Sequence, residues 1–382
     1  MGSNRCREEG SMATLDGGKI SSGQFLAFLV LTRMLAALIE APTISGTSAE
    51  HDAWIGIVLS TLLTIPWGFL LVHLGNMFPG MTIIEYSQVI LGPWLGRLVG
   101  LVIIIFFLQQ SAYAIRLSSA AYVTTIMPET PLLVFVAIIT FLSANAARSG
   151  IEVLARASTV SFFVAMTMLI VLLILPLNIM DFGNLRPVMA RGWQPVGEAT
   201  LSSFAIYGEL LVMTMLIPYL NRRRDAGSTV FYAILLSGFL FTWFTIAITA
   251  AFGPLMSTLI MPAFSLGRLV QFALLIERVE VVPLIGWTIS AGVKQSLFMW
   301  AAMMGIAQWF NLVEVRALAY PVGALVAALS IWLFRGVFDA SDFATIKRFG
   351  TLSILISVGI PLFLYIMAIV RRAIRQAVGK EG

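Results

Sequence analysis

The chain predicts an all-α membrane protein with ten transmembrane helices arranged as a five-plus-five inverted repeat. Three observations carry that expectation. The 382 residues are 59% hydrophobic and only 11% charged, with a mean hydropathy of +0.93. A soluble domain carries about 25% charged residues, and so few charges do not cover a water-facing surface. Ten apolar runs are each long enough for a hydrocarbon core of about 30 Å. Two short amphipathic stretches recur five runs apart.

The runs lie at 22–43, 53–75, 94–126, 131–147, 156–178, 200–220, 228–252, 281–309, 315–334 and 351–371. Residues 1–19 form a polar N-terminal tail without the apolar core of a cleavable signal peptide, so the first span is expected to direct insertion. Residues 20–371 form the transmembrane domain, with repeat halves at about 20–178 and 200–371, and 372–382 is a basic tail. The third and eighth runs are long and are expected to tilt or protrude. Met81–Leu91 follows Phe78-Pro79-Gly80, and Ala263–Ile276 follows Met261-Pro262. Both are too short to span and mix apolar with polar residues, as interfacial helices do. One lies between spans two and three, the other between spans seven and eight, and each leads into a long helix. Five is an odd number of crossings, so the two halves insert with opposite orientation.

Lysine and arginine placement puts both termini in the cytoplasm. That orientation leaves fourteen basic loop and tail residues inside against seven outside, with Arg222-Arg223-Arg224 after span six as the strongest marker. The loop 335–350 holds three of the seven. The pI of 9.6 therefore reflects membrane orientation, and no nucleic-acid partner is expected; the lipid bilayer is the surrounding partner. Cys6 is the only cysteine, which rules out an internal disulfide or thiolate cluster. Walker, dinucleotide and zinc-protease motifs are absent, so neither an enzyme nor a cofactor is expected. His51 and His73 sit near opposite ends of span two, too far apart to share a metal. Trp54, Trp94 and Trp193 fall near span ends or in loops, as an aromatic belt requires. The methionines from Met299 to Met304 read as packing residues.

Charges inside the runs single out a functional region. Glu209 follows Gly208 near the centre of span six, Arg33 lies near the centre of span one, and Lys294 near the centre of span eight. Arg116 lies in the outer half of span three beside Tyr113 and Gln109-Gln110. An isolated charge at that depth costs about 2.5–3.5 kcal/mol on insertion scales, so such groups face partners or cavities. Gly208 lets the backbone depart from helical geometry cheaply, and a charged break is how many transporters build a midplane site. Pro42 is expected to close span one, and Pro218 follows Glu209 on span six. In an inverted repeat, spans one and six are equivalent, so Arg33 and Glu209 occupy matching depths. Three readings stay open: an Arg33–Glu209 ion pair locking the two helices, a small zwitterionic ligand with its carboxylate on Arg33 and its amine on Glu209, or a proton relay or gate. Gly286 and Gly292 bracket Thr288 and Ser290 ahead of Lys294 and read as close-packing positions.

Four segments carry a family resemblance: Lys19-Ile20-Ser21-Ser22-Gly23-Gln24-Phe25, Tyr207-Gly208-Glu209 through Pro218-Tyr219-Leu220-Asn221, Glu277-Arg278-Val279-Glu280 followed by Gly292 to Phe298, and Ile83-Ile84-Glu85-Tyr86 through Gly92-Pro93-Trp94-Leu95-Gly96. Together they resemble the spore germination permease family, the B subunits of GerA-type nutrient germinant receptors. The resemblance implies the amino acid–polyamine–organocation superfamily and a leucine-transporter-like fold. It further implies the inner membrane of a spore, an A-type membrane subunit and a C-type lipoprotein as partners, and a small-molecule germinant, typically an amino acid. The implied pocket lies among spans one, three, six and eight, with Gly208 and Glu209 carried over directly and Lys294 and Phe298 behind them. Arg33 and Tyr113 join this set as candidates from their own placement. The segment Leu31–Ala37 departs from the family in lacking glycine, so span one is expected to be less unwound. A receptor subunit, an amino acid permease coupled to protons or another ion, and a structural scaffold all remain compatible with the residues.

Overall fold

A computed structural model describes residues 17–45, 49–259, 262–269, 281–333 and 350–378. The expectations for residues 1–16, Gln271–Ile276, Glu277-Arg278-Val279-Glu280 and most of the 335–350 loop lie outside the described residues. Spans one to five are Ser22–Ser45, Ala53–Met77, Pro93–Thr125, Leu132–Arg148 and Ile151–Ile174. Span six is Trp193–Tyr207, a 3-10 segment Gly208–Val212, an α turn Met213–Leu216 and a 3-10 turn Ile217–Tyr219. Spans seven, eight and nine are Ala226–Phe252, Val281–Phe310 and Ala319–Trp332; span ten joins Thr351–Ile354, Leu355–Gly359 and Ile360–Val378. No strand occurs among the described residues. Spans two, three, five, six, seven and ten are each long and apolar enough to cross a membrane, and spans four and nine are shorter apolar helices. Spans one and eight hold 24 and 30 residues.

The packing repeats with the predicted offset of five. Spans two and seven, three and eight, and four and nine pack directly on one another. Span seven packs on span one as span two packs on span six, so exchanging the halves maps one contact onto the other. The connector Ile83–Leu91 packs on span three, and its counterpart Pro262–Leu269 on span eight. The first connector begins in a capping box. The Thr82 backbone N–H donates to the Glu85 carboxylate at 2.8 Å, and the Thr82 side chain caps the turn in return. Burial pushes the Glu85 carboxyl above its usual range, against these Thr82 bonds that hold it down.

Loop contacts sort to two ends, as ten alternating crossings require. At one end Ile20 N–H donates to the Tyr219 carbonyl at 2.9 Å, and Asn221 N–H to the Ile20 carbonyl at 3.0 Å. These bonds tie the start of span one to the end of span six. The Trp309 indole donates to Arg97 O, joining spans eight and three at the same end. At the opposite end Asp52 accepts from the Met189 N–H with both carboxylate oxygens, at 3.1 and 3.0 Å, and His51 lies 2.7 Å from Pro187 O. Trp94 and Trp193 are 88% and 68% exposed in the first turns of spans three and six, and Trp54 is half-buried at the start of span two.

Several boundaries differ from the sequence expectation. Pro42 does not close span one; the helix runs on to Ser45, because a proline in a terminal turn forfeits only a bond or two. Span five starts at Ile151, where an ion pair between Glu152 and Arg156 one turn apart lets polar residues into the first turns. Span ten continues to Val378, so much of the predicted basic tail is helical; its Arg, Gln and Ala residues are strong helix formers. Pro66 likewise lies inside an uninterrupted span two.

The turn from connector to span three depends on close approach. A Cβ on Gly96 meets Gln88 Cα at 2.3 Å and Ser87 O at 2.6 Å, whereas one on Gly197 meets nothing within 4 Å. Gly96→Ala is therefore expected to destabilise by about 1–3 kcal/mol. Gly197→Ala, inside a helix, is expected to be neutral or to stabilise by up to about 1 kcal/mol. Thermal unfolding of the two variants in detergent compares them; equal melting temperatures would refute this packing account.

Candidate functional site

Glu209 and Lys294 meet at the centre of the bundle. The Lys294 ammonium donates to Glu209 Oε1 at 2.5 Å, with Lys294 0% and Glu209 4% exposed. The pair joins span six to span eight, whereas the ion pair among the three readings open from the sequence joined span six to span one. Glu209 Oε2 has no hydrogen-bond partner. The Lys294 ammonium also lies 5.8 Å from the Tyr113 ring on span three, close enough for a cation–π contribution.

Arg33 is not paired with Glu209. Its guanidinium lies 3.7 Å from the centroid of the Tyr207 ring and 5.1 Å from that of Phe241. The residue is 2% exposed, and all three side-chain nitrogens lack hydrogen-bond partners. Two aromatic faces stabilise the cation by about 2 kcal/mol or more when water is excluded. They satisfy none of its five N–H donors, and buried donors left open are costly. Arg33 faces the Tyr207 ring in place of Glu209, and Lys294 takes one of the two carboxylate oxygens.

Tyr207 is itself fixed. Thr61 on span two donates its hydroxyl proton to Ile57 O at 2.8 Å, so the 2.9 Å contact with Tyr207 is donated by the phenol. Ser60 reaches Ser203 at 2.8 Å one turn away. Sequence reasoning quoted Tyr207 within a motif but gave it no role, and it missed Thr61. The available signal was an aromatic residue two places before an intramembrane carboxylate.

Gly208 starts a 3-10 stretch, Gly208–Val212, rather than an unwound loop. The helix tightens by changing bond partners and keeps helical backbone angles at Tyr207, Gly208 and Met213. A Cβ on Gly208 meets Ser357 Oγ at 2.5 Å and Ser353 Oγ at 3.0 Å. The glycine therefore admits span ten, whose Leu355–Gly359 segment is a π turn. Ser353 donates to Ala205 O at 3.1 Å, satisfying a carbonyl just ahead of the switch in helix type. Span one is a continuous helix, in keeping with its lack of glycine.

Spans three and eight are locked beside the pair. Gln295 donates to Ser118 Oγ at 2.6 Å and to Ala114 O at 3.2 Å, and accepts from Ser143 at 3.3 Å. Ser111 donates to the Gln295 carbonyl at 3.1 Å. Phe298, one turn beyond Lys294, is fully buried with its ring centroid 6.1 Å from that of Phe107. It contributes to the span three–span eight interface. Arg116 is buried on span three. No cluster of metal-ligating side chains occurs among the described residues.

Removing one partner of a buried pair leaves the other charge uncompensated, at a cost of about 3–5 kcal/mol. Glu209→Gln and Lys294→Met are each expected to lower stability on that scale, and the combined variant to recover part of the loss. Unfolding of the four proteins in detergent closes the cycle; strictly additive losses would show that the pair carries no coupling.

The profile of the family described as spore germination protein matches residues 19–335. Spore germination protein KB of Bacillus subtilis is 27% identical over 376 residues, covering 95% of this chain and 98% of that protein. Spore germination protein A2 of the same organism is 25% identical, covering 82% of this chain and 87% of that protein. Among solved structures, the nucleobase-cation-symport-1 family transporter MHP1 in a closed conformation superposes with a TM-score of 0.66 at 13% identity, over 90% of this chain and 79% of that one. MhsT in complex with L-phenylalanine gives 0.59 at 15% identity, over 90% and 98% of the two chains. These likenesses show the fold: a leucine-transporter-like five-plus-five inverted repeat.

Proposed function

This chain belongs to the spore germination protein family, and from that premise we propose that it is the membrane subunit of a nutrient germinant receptor that binds a small carboxylate-bearing germinant at Arg33. The observation that carries the proposal is the buried Arg33 guanidinium with its three nitrogens unbonded above Tyr207. Glu209 and Lys294 neutralise each other, so within this trio Arg33 is the charge without a counter-charge. A carboxylate supplies the missing charge and accepts two N–H bonds in the geometry a guanidinium favours. The open Glu209 Oε2 would accept from the germinant's ammonium while Oε1 stays with Lys294. Arg33 and Glu209 thus recognise an amino acid, with Gly208 letting span ten approach and with Lys294, Tyr113 and Phe298 lining or supporting the site.

The receptor reading also takes an A-type membrane subunit and a C-type lipoprotein as the partners that turn occupancy into germination. It places the chain in the inner membrane of the spore with both termini in the cytoplasm. The basic triplet Arg222–Arg224 and Arg371–Arg372 then face the cytoplasm, as positive residues do. A second reading, a permease coupled to protons or another ion, is favoured by the fold shared with solved transporters. Counterflow of radiolabelled amino acids by the chain alone in liposomes separates the two: the receptor reading expects none.

A desolvated guanidinium–carboxylate bond is worth about 2 kcal/mol or more, so Arg33→Met is expected to raise the half-maximal germinant concentration by at least about 30-fold. The measurement is the germination dose response of spores in which this chain is the responding B subunit, with its membrane level checked by immunoblot. A parental dose response at a parental protein level would sink the proposal.

A further inference from the structure

A cavity remote from the buried charges lies where span two, the first connector and span ten meet. It is open on one side, has a volume of about 640 Å³ and is lined by His73, Asn76, Val89, Ile90, Arg371 and Arg372, among others. No carboxylate lines it among the described residues. Arg371 donates to the Val89 carbonyl in the last turn of the connector, and that bond leaves most of its donors open. Arg372 makes no hydrogen bond or ion pair among the described residues and is exposed. His73 packs edge-on against Tyr365 of span ten at 5.7 Å between centroids. The cavity is thus a cationic mouth on apolar walls made by Val89, Ile90 and Ala368.

Its position adds a second argument. Span ten turns basic at Arg371, after an apolar stretch whose Phe363, Ile366, Ile369 and Val370 are 44–51% exposed. That exposed face belongs in hydrocarbon, and the arginines at its end lie at the depth of lipid headgroups. A ligand with a phosphate for the mouth and hydrocarbon for the adjoining face matches both halves of the surface.

We propose that this cavity is a binding site for an anionic phospholipid, with its phosphate held by Arg371 and Arg372 and its acyl chains along the exposed face of span ten. Basic pockets between helices are suited to such headgroups, and each arginine near the surface contributes about a fivefold gain in affinity. The lipid ties span ten to span two and to the connector. Span ten also carries the π turn that touches Gly208, so the site links bilayer composition to the helix behind the buried pair.

The test uses the full chain in detergent, titrated with dioctanoyl phosphatidylglycerol, dioctanoyl phosphatidylcholine and inorganic phosphate, and reads bound lipid by native mass spectrometry and the melting temperature. Phosphatidylglycerol is expected to bind and to raise the melting temperature, with phosphatidylcholine and phosphate well behind. Arg372→Gln, which breaks no bond seen in the structure, is expected to weaken binding about fivefold, and Arg371→Gln with Arg372→Gln about 30-fold. Val89→Trp sets a bulky ring on the cavity wall beside the arginines without changing charge and is expected to weaken binding as well. Equal binding of the two lipids overturns the proposal. So does an equal shift from phosphate alone, which would assign the mouth to a free anion. Loss in the arginine variants with parental binding by Val89→Trp also overturns it, since that pattern marks diffuse surface charge.

Discussion

The cost of holding charge away from water organises this bundle. Hydrocarbon offers no partner to a buried carboxylate or ammonium, so Glu209 and Lys294 reach their positions as a bonded pair with 0–4% exposure. That one bond fixes the relative depth of spans six and eight. The surrounding polar contacts follow from it: Gln295 beside Lys294 binds span three through Ser118 and Ala114, and Tyr207 beside Gly208-Glu209 binds span two through Thr61. Arg33 is the exception within this economy. It has aromatic faces beneath it but no acceptor, and the receptor proposal rests on this asymmetry.

The repeat explains why these residues converge. Spans one and six occupy equivalent places, and spans three and eight pack directly on each other. The packing brings Glu209 of span six and Lys294 of span eight together, with Tyr113 of span three beside them. At one end the backbone bonds between Ile20 and the Tyr219–Asn221 segment hold spans one and six together. Movement of span six against span one must break those bonds or pivot about them. The 3-10 segment at Gly208–Val212 and the π turn at Leu355–Gly359 lie side by side. Both are helix types that convert to α by exchanging bond partners, so the centre can change shape without unfolding a span.

Much of the architecture was legible in the sequence because hydrocarbon imposes it on composition. The ten runs, the two connectors and the offset of five all follow from run length and proline placement. Boundaries were less legible where local bonds override hydropathy, as with the Glu152–Arg156 pair that starts span five early. The buried charges were visible as charges, but their pairing was not. Depth along the spans favoured Arg33 with Glu209, whereas rotation about each helix axis, which hydropathy does not report, turned Glu209 toward Lys294 and Arg33 toward Tyr207. Phe298 shows the same limit: its spacing from Lys294 suggested the pocket, and its rotation sets it against Phe107.

The central claim, that Arg33 receives a carboxylate, is tested most directly by one comparison of ligands. Equilibrium binding of the responsive amino acid and of its carboxamide is measured on the purified parent and on Arg33→Met. The account predicts that the parent prefers the acid by at least about 30-fold and that the preference collapses in the variant. An undiminished preference for the acid in Arg33→Met would place the carboxylate elsewhere and contradict the account.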